Sequence, residues 1–585
     1  MARRPPSRPP SSPTPSRRPG SIPLDLAVRA ALGLAGGVAV WAVIRWNPQV
    51  AGMEEGVKVL RGMLALAALT LPVVLLGGYA ALRPRTLALW ALAAAGVAVL
   101  AGIGRTSWLG DSDTPPIPEG GALFLTCLVL AIGHILVRAR EGAEKGNAWP
   151  RHFTIAWTDG FRVALSAGLA GAMIGLCGLA AGLFGMIGLK AVGEFLFQPG
   201  FLWPAAGLTF GLGVHFTATR TDLAEGARAL GLGLLAWLLP LMTFLVAAFL
   251  ATLPFTGLKP LWDTGSAAAL LMAACGGLIL LSNAAVQDAT NPASLPRILR
   301  YAARLAGLLM APLVLIAAIG VFLRIGQHGL TPDRVRALAC LMTLAVFAGG
   351  HALAALSRRS WIEAFGKANL TGVFAALLAS LFTLSPLGDP DRLSVMDQMR
   401  RLDTRKVALD RFDFVLLRFD AGEPGRAALR ELASRPGASP TAAEIRRRAS
   451  EALAAKSRYD LRLAPPVVTP VGTAPIPADF LASPATVNCI PDADCMAVSL
   501  DITGDGSAEV LLKRGDSVLA WSREDAGWRL MGKLSTPCLL EDRHFRAGEI
   551  RVTPPQVAVQ DVDVGGVRLR LVPEIADCPP PGGGG

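Results

Sequence analysis

Charge is what this sequence has least of. Only 17% of its 585 residues are Asp, Glu, Lys or Arg, against about 25% in ordinary soluble chains. With 52% hydrophobic residues beside it, that shortage excludes a row of water-soluble domains. Acidic residues are scarcest inside the apolar runs, which counts against a pump relaying several protons through carboxylates. Recognisable chemistry is missing as well. There is no glycine-rich phosphate loop following a strand, no H-E-x-x-H helix and no G-x-S-x-G elbow. No catalytic constellation is visible, so an enzyme is the least favoured reading. Cysteine is sparse, eight in all. Cys127, Cys177, Cys275 and Cys340 lie in apolar runs and read as small packing residues.

What is present is long greasy sequence. A hydrocarbon core of ~30 Å needs about 20 helical residues. Runs of that kind stand near 25–44, 60–82, 86–104, 120–137, 163–189, 200–216, 229–253, 266–286, 305–323, 335–356 and 370–385. They are continuously apolar without period-2 alternation, which excludes a lipid-facing β-barrel. The sixth run contains Pro204 and is expected to be a broken helix. Gly168, Gly171, Gly175, Gly178, Gly182 and Gly185 recur at spacings of three or four, which predicts a face where helix backbones approach closely. The expected fold class is therefore an all-α polytopic membrane bundle of about eleven transmembrane helices, with a C-terminal α+β soluble domain. Residues 1–23 form a basic Pro/Ser/Arg tail too polar to fold. Residues 24–385 form the membrane domain, with 24–44 read as a helix and not as a cleaved signal. Residues 386–464 form a helical segment, 465–578 a small antiparallel β domain and 579–585 a disordered tail.

The net charge of +12 sits in short loops between the apolar runs. There the positive-inside rule accounts for it, without nucleic acid as a partner. Loops carrying Arg83, Arg85, Arg138, Arg140, Arg151, Arg162, Arg297, Arg300, Arg358 and Arg359 fall on the side of the basic N-terminus. That side is expected to be the cytoplasm of a bacterium, and the membrane its inner membrane. An odd number of crossings then sends the C-terminal domain to the periplasm. Cys489, Cys495, Cys538 and Cys578 lie in that domain, and an even number there reads as two disulfides. Pairing Cys489–Cys495 with Cys538–Cys578 is favoured. A zinc site is the competing reading, disfavoured by the wide Cys489–Cys495 gap.

Within the C-terminal domain, Leu393–Leu402 suits an amphipathic helix, Phe412–Asp420 a docking segment, and Thr441-Ala-Ala-Glu444 a capping box. Beyond 465, short β-branched runs predict strands at Met496–Leu500, Ala508–Leu512, Val518–Trp521, Trp528–Gly532, Ile550–Val552 and Val567–Val572. Asp501, Thr503, Asp505 and Glu509 place oxygen atoms at the first, third, fifth and ninth positions of a calcium loop. Leu512 stands where the bidentate carboxylate belongs. Calcium is the one cofactor the chain suggests, and a plain hairpin turn is the alternative.

Polar groups at membrane depth are costly and often functional. Asn283, Gln287, Asp288 and Asn291 cluster at one end of the eighth run. His134, His215 and His351 sit in or beside apolar runs, either as interhelical hydrogen-bonders or as proton-transfer groups. Lys190 and Glu194 have the spacing of an ion pair. In the linker Arg324–Asp333, Thr331 and Pro332 start the next helix as N-cap and first residue. Arg324 and His328 are left over for another role.

Leu281-Ser-Asn-Ala-Ala-Val-Gln-Asp288 and Arg324-Ile-Gly-Gln-His-Gly-Leu-Thr-Pro-Asp-Arg334 resemble a family of uncharacterised polytopic bacterial membrane proteins, catalogued as domain of unknown function 4153. Gly388–Met399, Phe412–Gly422 and Gly425–Leu429 are similar to the segments that follow its last helix, and the likeness spans roughly 25–530. His328 stands where many members have an aromatic. The resemblance implies an integral inner-membrane protein and supplies no activity, substrate or catalytic residue. Two functions stay open. One is transport or translocation of a small molecule, ion or envelope lipid. The other is an envelope sensor or assembly scaffold whose periplasmic domain binds a protein or small-molecule partner. Beyond the lipid bilayer no partner is specified, nor is an oligomeric state.

Overall fold

The computed structural model describes residues 22–46, 55–103, 120–141, 148–264, 266–288, 295–357, 361–455, 458, 461, 467–486, 489, 495–515, 517–524, 527–534, 545–546, 548, 550–553, 562–564 and 567–569. The chain divides into two units, 1–454 and 455–585.

The first unit is helical. Its elements are α1 (Ile22–Arg45), α2 (Glu55–Gly78), α3 (Pro84–Ile103), α4 (Gly120–Arg140), α5 (Ala148–Met186), α6 (Lys190–Leu196) and α7 (Pro199–Thr219). They continue with α8 (Thr221–Thr256), α9 (Lys259–Asp263), α10 (Ala267–Val286), α11 (Arg297–His328), α12 (Pro332–Leu356) and α13 (Trp361–Leu384). Ten of these, α1 to α5, α8 and α10 to α13, are long and apolar enough to cross a membrane. Each satisfies its own backbone amides, which hydrocarbon demands. Their outward faces carry large apolar side chains such as Leu92, Leu176, Phe244 and Leu353, as a lipid-facing surface requires. Four helices start eight or more residues before the apolar sequence that predicts them, α13 at Trp361 among them. α5 begins at Ala148, so Arg151, Asp159 and Arg162 ride on helix and not in a loop. α8 begins at Thr221, and α11 begins at Arg297.

The helix α7 is unbroken through Pro204, contrary to expectation. Pro204 stands early in the helix, where few backbone donors are lost. α7 lies antiparallel along α1. Trp41 meets Gly200, Gly37 meets Trp203 and Pro204, Gly33 meets Gly207 and Gly211, and the Arg29 carbonyl meets Gly211. A Cβ at Gly33 or Gly207 would collide with the opposing backbone. Two Gly-x-x-x-Gly pairs thus bring the helices together, the device small residues provide where water supplies no hydrophobic drive. The glycines of α5 do not behave this way. Gly168, Gly171, Gly175, Gly182 and Gly185 have open space where a Cβ would stand, and Leu169, Leu176 and Leu183 beside them are exposed. Lys190 and Glu194 on α6 are both exposed and form no ion pair.

The larger core joins the start of α5 to α8, α10, α11, α12 and α13, with Leu239, Leu278, Met310, Leu313 and Phe365 almost wholly buried. A smaller core joins α2, α3, α4 and the end of α13 around Leu66, Ala98, Val129 and Leu384. Three polar-surfaced helices complete the unit: α14 (Pro390–Asp403), α15 (Gly422–Ala433) and α16 (Pro440–Ala454). The docking segment is real. Phe412 and Phe414 are 1% exposed and cross edge to face at 4.9 Å. The cap of α16 is Ser439, whose Oγ accepts the Ala442 amide at 3.1 Å, and not Thr441. Glu444 instead pairs with Arg447 and Arg448.

In the second unit, β1 (Val468–Pro470), β2 (Cys495–Leu500), β3 (Glu509–Arg514), β4 (Ser517–Glu524) and β5 (Gly527–Leu534) form one sheet in that order. β6 (Val562–Val564) pairs with β7 (Val567–Leu569). The sheet is mixed, because β1 runs parallel to β2. Its Val-Thr-Pro triplet is too short to read as a strand in advance. Ile550–Val552 forms no strand. The central strands are buried on both faces: Met496, Val498 and Leu511 on one, Cys495, Ala497, Val510 and Leu512 on the other.

Replacing Gly207 by Leu is expected to separate α1 from α7. Overpacking of this kind costs about 1–3 kcal/mol, and the thermal unfolding midpoint of purified protein should fall. An unchanged midpoint would show that this helix contact carries no stability.

Candidate functional site

The linker Arg324–Asp333 turns out to be a helix-end clasp. α11 ends at His328; the Ile325 carbonyl accepts the Gly329 amide at 2.8 Å, and the carbonyls after it have no partners within the helix, as at every helix C-terminus. α14 supplies them. Arg401 donates to the Gln327 carbonyl at 3.1 Å and to that of Ile325 at 3.4 Å. Gln398 Nε2 donates to the carbonyls of His328 at 3.1 Å and Leu330 at 2.9 Å. Asp397 Oδ2 accepts the Leu330 amide at 2.7 Å. Gly329 is required twice over. Its φ is 78°, a left-handed conformation that favours glycine. A Cβ there would also stand 2.7 Å from Gln398 Nε2 and 2.8 Å from Asp397 Oδ2. Thr331 caps α12 and Pro332 opens it, as expected. Arg334 donates to the Gly329 carbonyl at 2.7 Å. Of the two residues singled out, Arg324 donates to the Trp262 carbonyl of α9 at 3.4 Å. His328 enters the clasp only through its backbone.

Asn283 lies elsewhere, at the opposite end of the same core. On α10 its Nδ2 donates to the Ile279 carbonyl at 2.9 Å and to Asn369 Oδ1 of α13 at 2.8 Å. Asn369, 1% exposed, donates in turn to the Phe365 carbonyl at 3.0 Å and stands beside the His351 ring of α12. That ring meets Phe365 edge-on at 4.9 Å. Gly307 of α11 gives the backbone of His351 room, since a Cβ there would be 2.8 Å from its carbonyl. Three polar atoms in this region are buried without a protein partner: Asn283 Oδ1, Ser282 Oγ and His351 Nε2. Each such atom costs about 1–3 kcal/mol, so the cluster is expensive in an otherwise apolar core. The arrangement can pass hydrogen bonds between three helices and leaves one imidazole nitrogen of His351 without a protein partner.

Gln287 and Asp288 border this cluster without entering its hydrogen bonds to Asn369. Gln287 ends α10 with φ 54°, and its carbonyl accepts Trp149 Nε1 at 3.1 Å. Asp288 occupies the turn and has interactions of its own. Asn291 lies outside the described residues.

His215 belongs to a second network that the sequence reading missed. Around it stand Arg29 and Asp25 of α1. The Tyr79 hydroxyl donates to Asp25 Oδ1 at 3.1 Å, and the Arg29 guanidinium lies 5.7 Å from the Tyr79 ring centre. Asp159 of α5 pairs with Arg138 of α4 and, at 3.4 Å, with Arg162 one turn on. Trp90 Nε1 donates to His134 Nδ1 at 3.2 Å. The signal available was Arg29 itself, an arginine inside the first apolar run.

In the second unit, Cys489 and Cys495 form a disulfide with Cα atoms 5.5 Å apart. Cys538 and Cys578 lie outside the described residues. In the acidic loop the carboxylates serve the backbone. Asp501 accepts the amides of Gly504 at 2.6 Å and Gly506 at 3.0 Å, and Asp505 accepts that of Ser507 at 2.8 Å. Buried Glu509 accepts the amides of Ile502 at 2.8 Å and Thr503 at 3.2 Å. This is a hairpin turn joining β2 to β3, with Leu500 opposite Glu509. Among the described residues no group of three or more His, Cys, Asp or Glu gathers as a metal site.

Two substitutions separate structural from functional roles. Arg401→Ala should cost about 2 kcal/mol of stability by uncapping α11, read as a lower unfolding midpoint, while Arg324→Ala costs much less; equal losses would refute the clasp. Asn283→Ala and Asn369→Ala, singly and together, should show a coupling of about 0.5–2 kcal/mol in a double-mutant cycle. Strict additivity would mean the pair does not interact. Comparison with models of known families, with curated proteins and with solved structures finds no match to this chain.

Proposed function

We propose that the chain is a bacterial inner-membrane protein that transports or translocates a small molecule, an ion or an envelope lipid. The observation carrying this reading is the Asn283–Asn369–His351 cluster. Polar side chains facing one another between spanning helices, with buried atoms unpaired, are costly to keep in a bundle that serves only as an anchor. α7 is proposed as an eleventh crossing, because it runs antiparallel along α1 from Gly200 to Gly211. Eleven crossings with a cytoplasmic N-terminus send the second unit to the periplasm, an oxidising compartment that suits the Cys489–Cys495 disulfide. Kinship with the uncharacterised family named above is proposed on the strings Leu281–Asp288 and Arg324–Arg334. Calcium binding at Asp501–Glu509 is proposed only as an addition to a turn that closes without it.

A second reading, a sensor or scaffold, draws on one feature. β5 is the last strand in the sheet's order, and Leu530, Met531 and Leu534 on it are about half exposed. Among the described residues no strand pairs with its outer edge, and an unpaired edge invites strand addition by a partner.

Purified protein in liposomes would carry two reporters, a lumenal pH dye and a headgroup-labelled lipid. Flux above empty liposomes in either, reduced about tenfold or more by His351→Ala or Asn283→Ala and kept by Arg324→Ala, is the expected result. Flux that all three variants retain would remove the cluster from the mechanism. No flux in the unmodified protein would shift the weight to partner binding through the sheet.

A further inference from the structure

The network around His215 holds more donors than acceptors, and it is built with some care. α7 carries Gly211 one turn before His215 and Gly213 two residues before it. Gly211 lies against the Arg29 carbonyl, and Gly213 lies 2.9 Å, measured from a built Cβ, from Cα of Ser166. Ser166 stands one turn beyond Arg162, whose carbonyl accepts its hydroxyl at 2.7 Å. The two glycines therefore bring α1 and α5 onto α7 at one level. Arg29 and Arg162 thus lie on the two helices packed against α7 just before His215, close enough for the charge of Arg29 to be felt by both His215 and Arg162.

Like charges do not gather in a low-dielectric region without something negative between them. The carboxylates nearby are already engaged. Asp25 accepts the Tyr79 hydroxyl, and Asp159 is shared by Arg138 and Arg162. Arg29 is 7% exposed; the face of Tyr79 lies 5.7 Å from its guanidinium and Asp25 stands one turn before it on α1, but among the described residues it forms no ion pair. Its Nε, the Nε of Arg162 and the Nδ1 of His215 are all buried without an acceptor. An arginine Nε can only donate, so two of these three atoms specifically lack an acceptor. Residues 1–24 contain no Asp or Glu, so the preceding segment has no carboxylate to offer.

We propose that Arg29, Arg162 and His215 form a binding site for a phosphate-type oxyanion, between α1, α5 and α7. Two guanidinium groups and an imidazole match the several acceptor oxygens of such a group, and arginine forks suit phosphate geometry. The oxyanion is either free phosphate or the headgroup of an anionic phospholipid. The basic residues that place this end of α1 on the cytoplasmic side would also favour anionic lipid there. The site differs from the Asn283 cluster and holds whether or not the chain moves its ligand.

The test uses full-length protein in nanodiscs of phosphatidylcholine, with thermal unfolding as readout. In one arm inorganic phosphate is titrated against chloride at equal ionic strength. In the other, phosphatidylglycerol replaces part of the phosphatidylcholine. Binding to the folded state raises the midpoint. The expected result is a rise in at least one arm that Arg29→Lys largely keeps. Arg29→Gln and Arg162→Gln should each demand about tenfold more anion for the same rise. A rise with phosphate identifies a free anion as sufficient, and a rise with phosphatidylglycerol alone identifies the headgroup. No rise in either arm overturns the site, as does an undiminished rise in both Gln variants. Should Arg29→Gln fail to fold, Arg162→Gln decides alone. Liposome flux that is absent while this midpoint shift persists would end the transport reading and leave the anion site standing.

Discussion

Hydrocarbon offers a peptide group no partner, so every amide within the membrane must be satisfied by the chain itself. A helix does this everywhere except in its first and last turns. That exception governs much of this structure. α11 reaches its end at His328 with carbonyls to spare, and the chain answers with Arg401, Gln398 and Asp397 of α14. The polar helix beyond the last apolar run is thereby tied to the membrane helices. α11, α12 and α14 form one mechanical element, with Gly329 at its centre.

The same medium decides how helices meet. Without water to drive association, contact depends on close approach. α1 and α7 achieve it with glycine against glycine, α5 and α7 with Gly213 against Ser166, and α11 and α12 with Gly307 beneath the His351 backbone. In two of these three places the approach levels polar side chains on different helices: Arg29 and Arg162 with His215 in one, His351 with its neighbours in the other. Packing and chemistry share the same positions. The open glycine row of α5 shows that spacing alone does not make an interface.

Much of the fold was legible because hydrophobic run length is a direct physical signal. The eleven runs all correspond to helices, and the strands β2 to β5 follow from their β-branched texture. Errors came where the signal is not hydrophobic. Amphipathic extensions such as Ala148–Arg162 contain charges and so read as loops. Pro204 reads as a break because sequence does not reveal how close it stands to a helix start. β1 is a strand only because β2 is there to pair with it. The sites were harder. Asn283 stands out as polar in a greasy run, but its partner Asn369 lies one residue outside the last apolar run, where a polar residue carries no signal. Arg324 and His328 drew notice because they stood in a distinctive string, and that string is distinctive for reasons of helix termination. Arg162 was counted only as a topology signal, and Arg29 went unread inside the first apolar run. Their convergence depends on Gly211 and Gly213, which look like any other small residues until α1 and α5 are seen on either side.

The clasp also bears on how the chain is made. Gln398 is separated by 70 positions from the His328 carbonyl it holds. During synthesis the α11–α12 hairpin must therefore enter the bilayer well before its cap leaves the ribosome. Until residues 397–401 emerge and fold back, the turn at Gly329 lacks its side-chain partners. Completion of the helical unit is thus a late event, gated by a segment that is not itself hydrophobic.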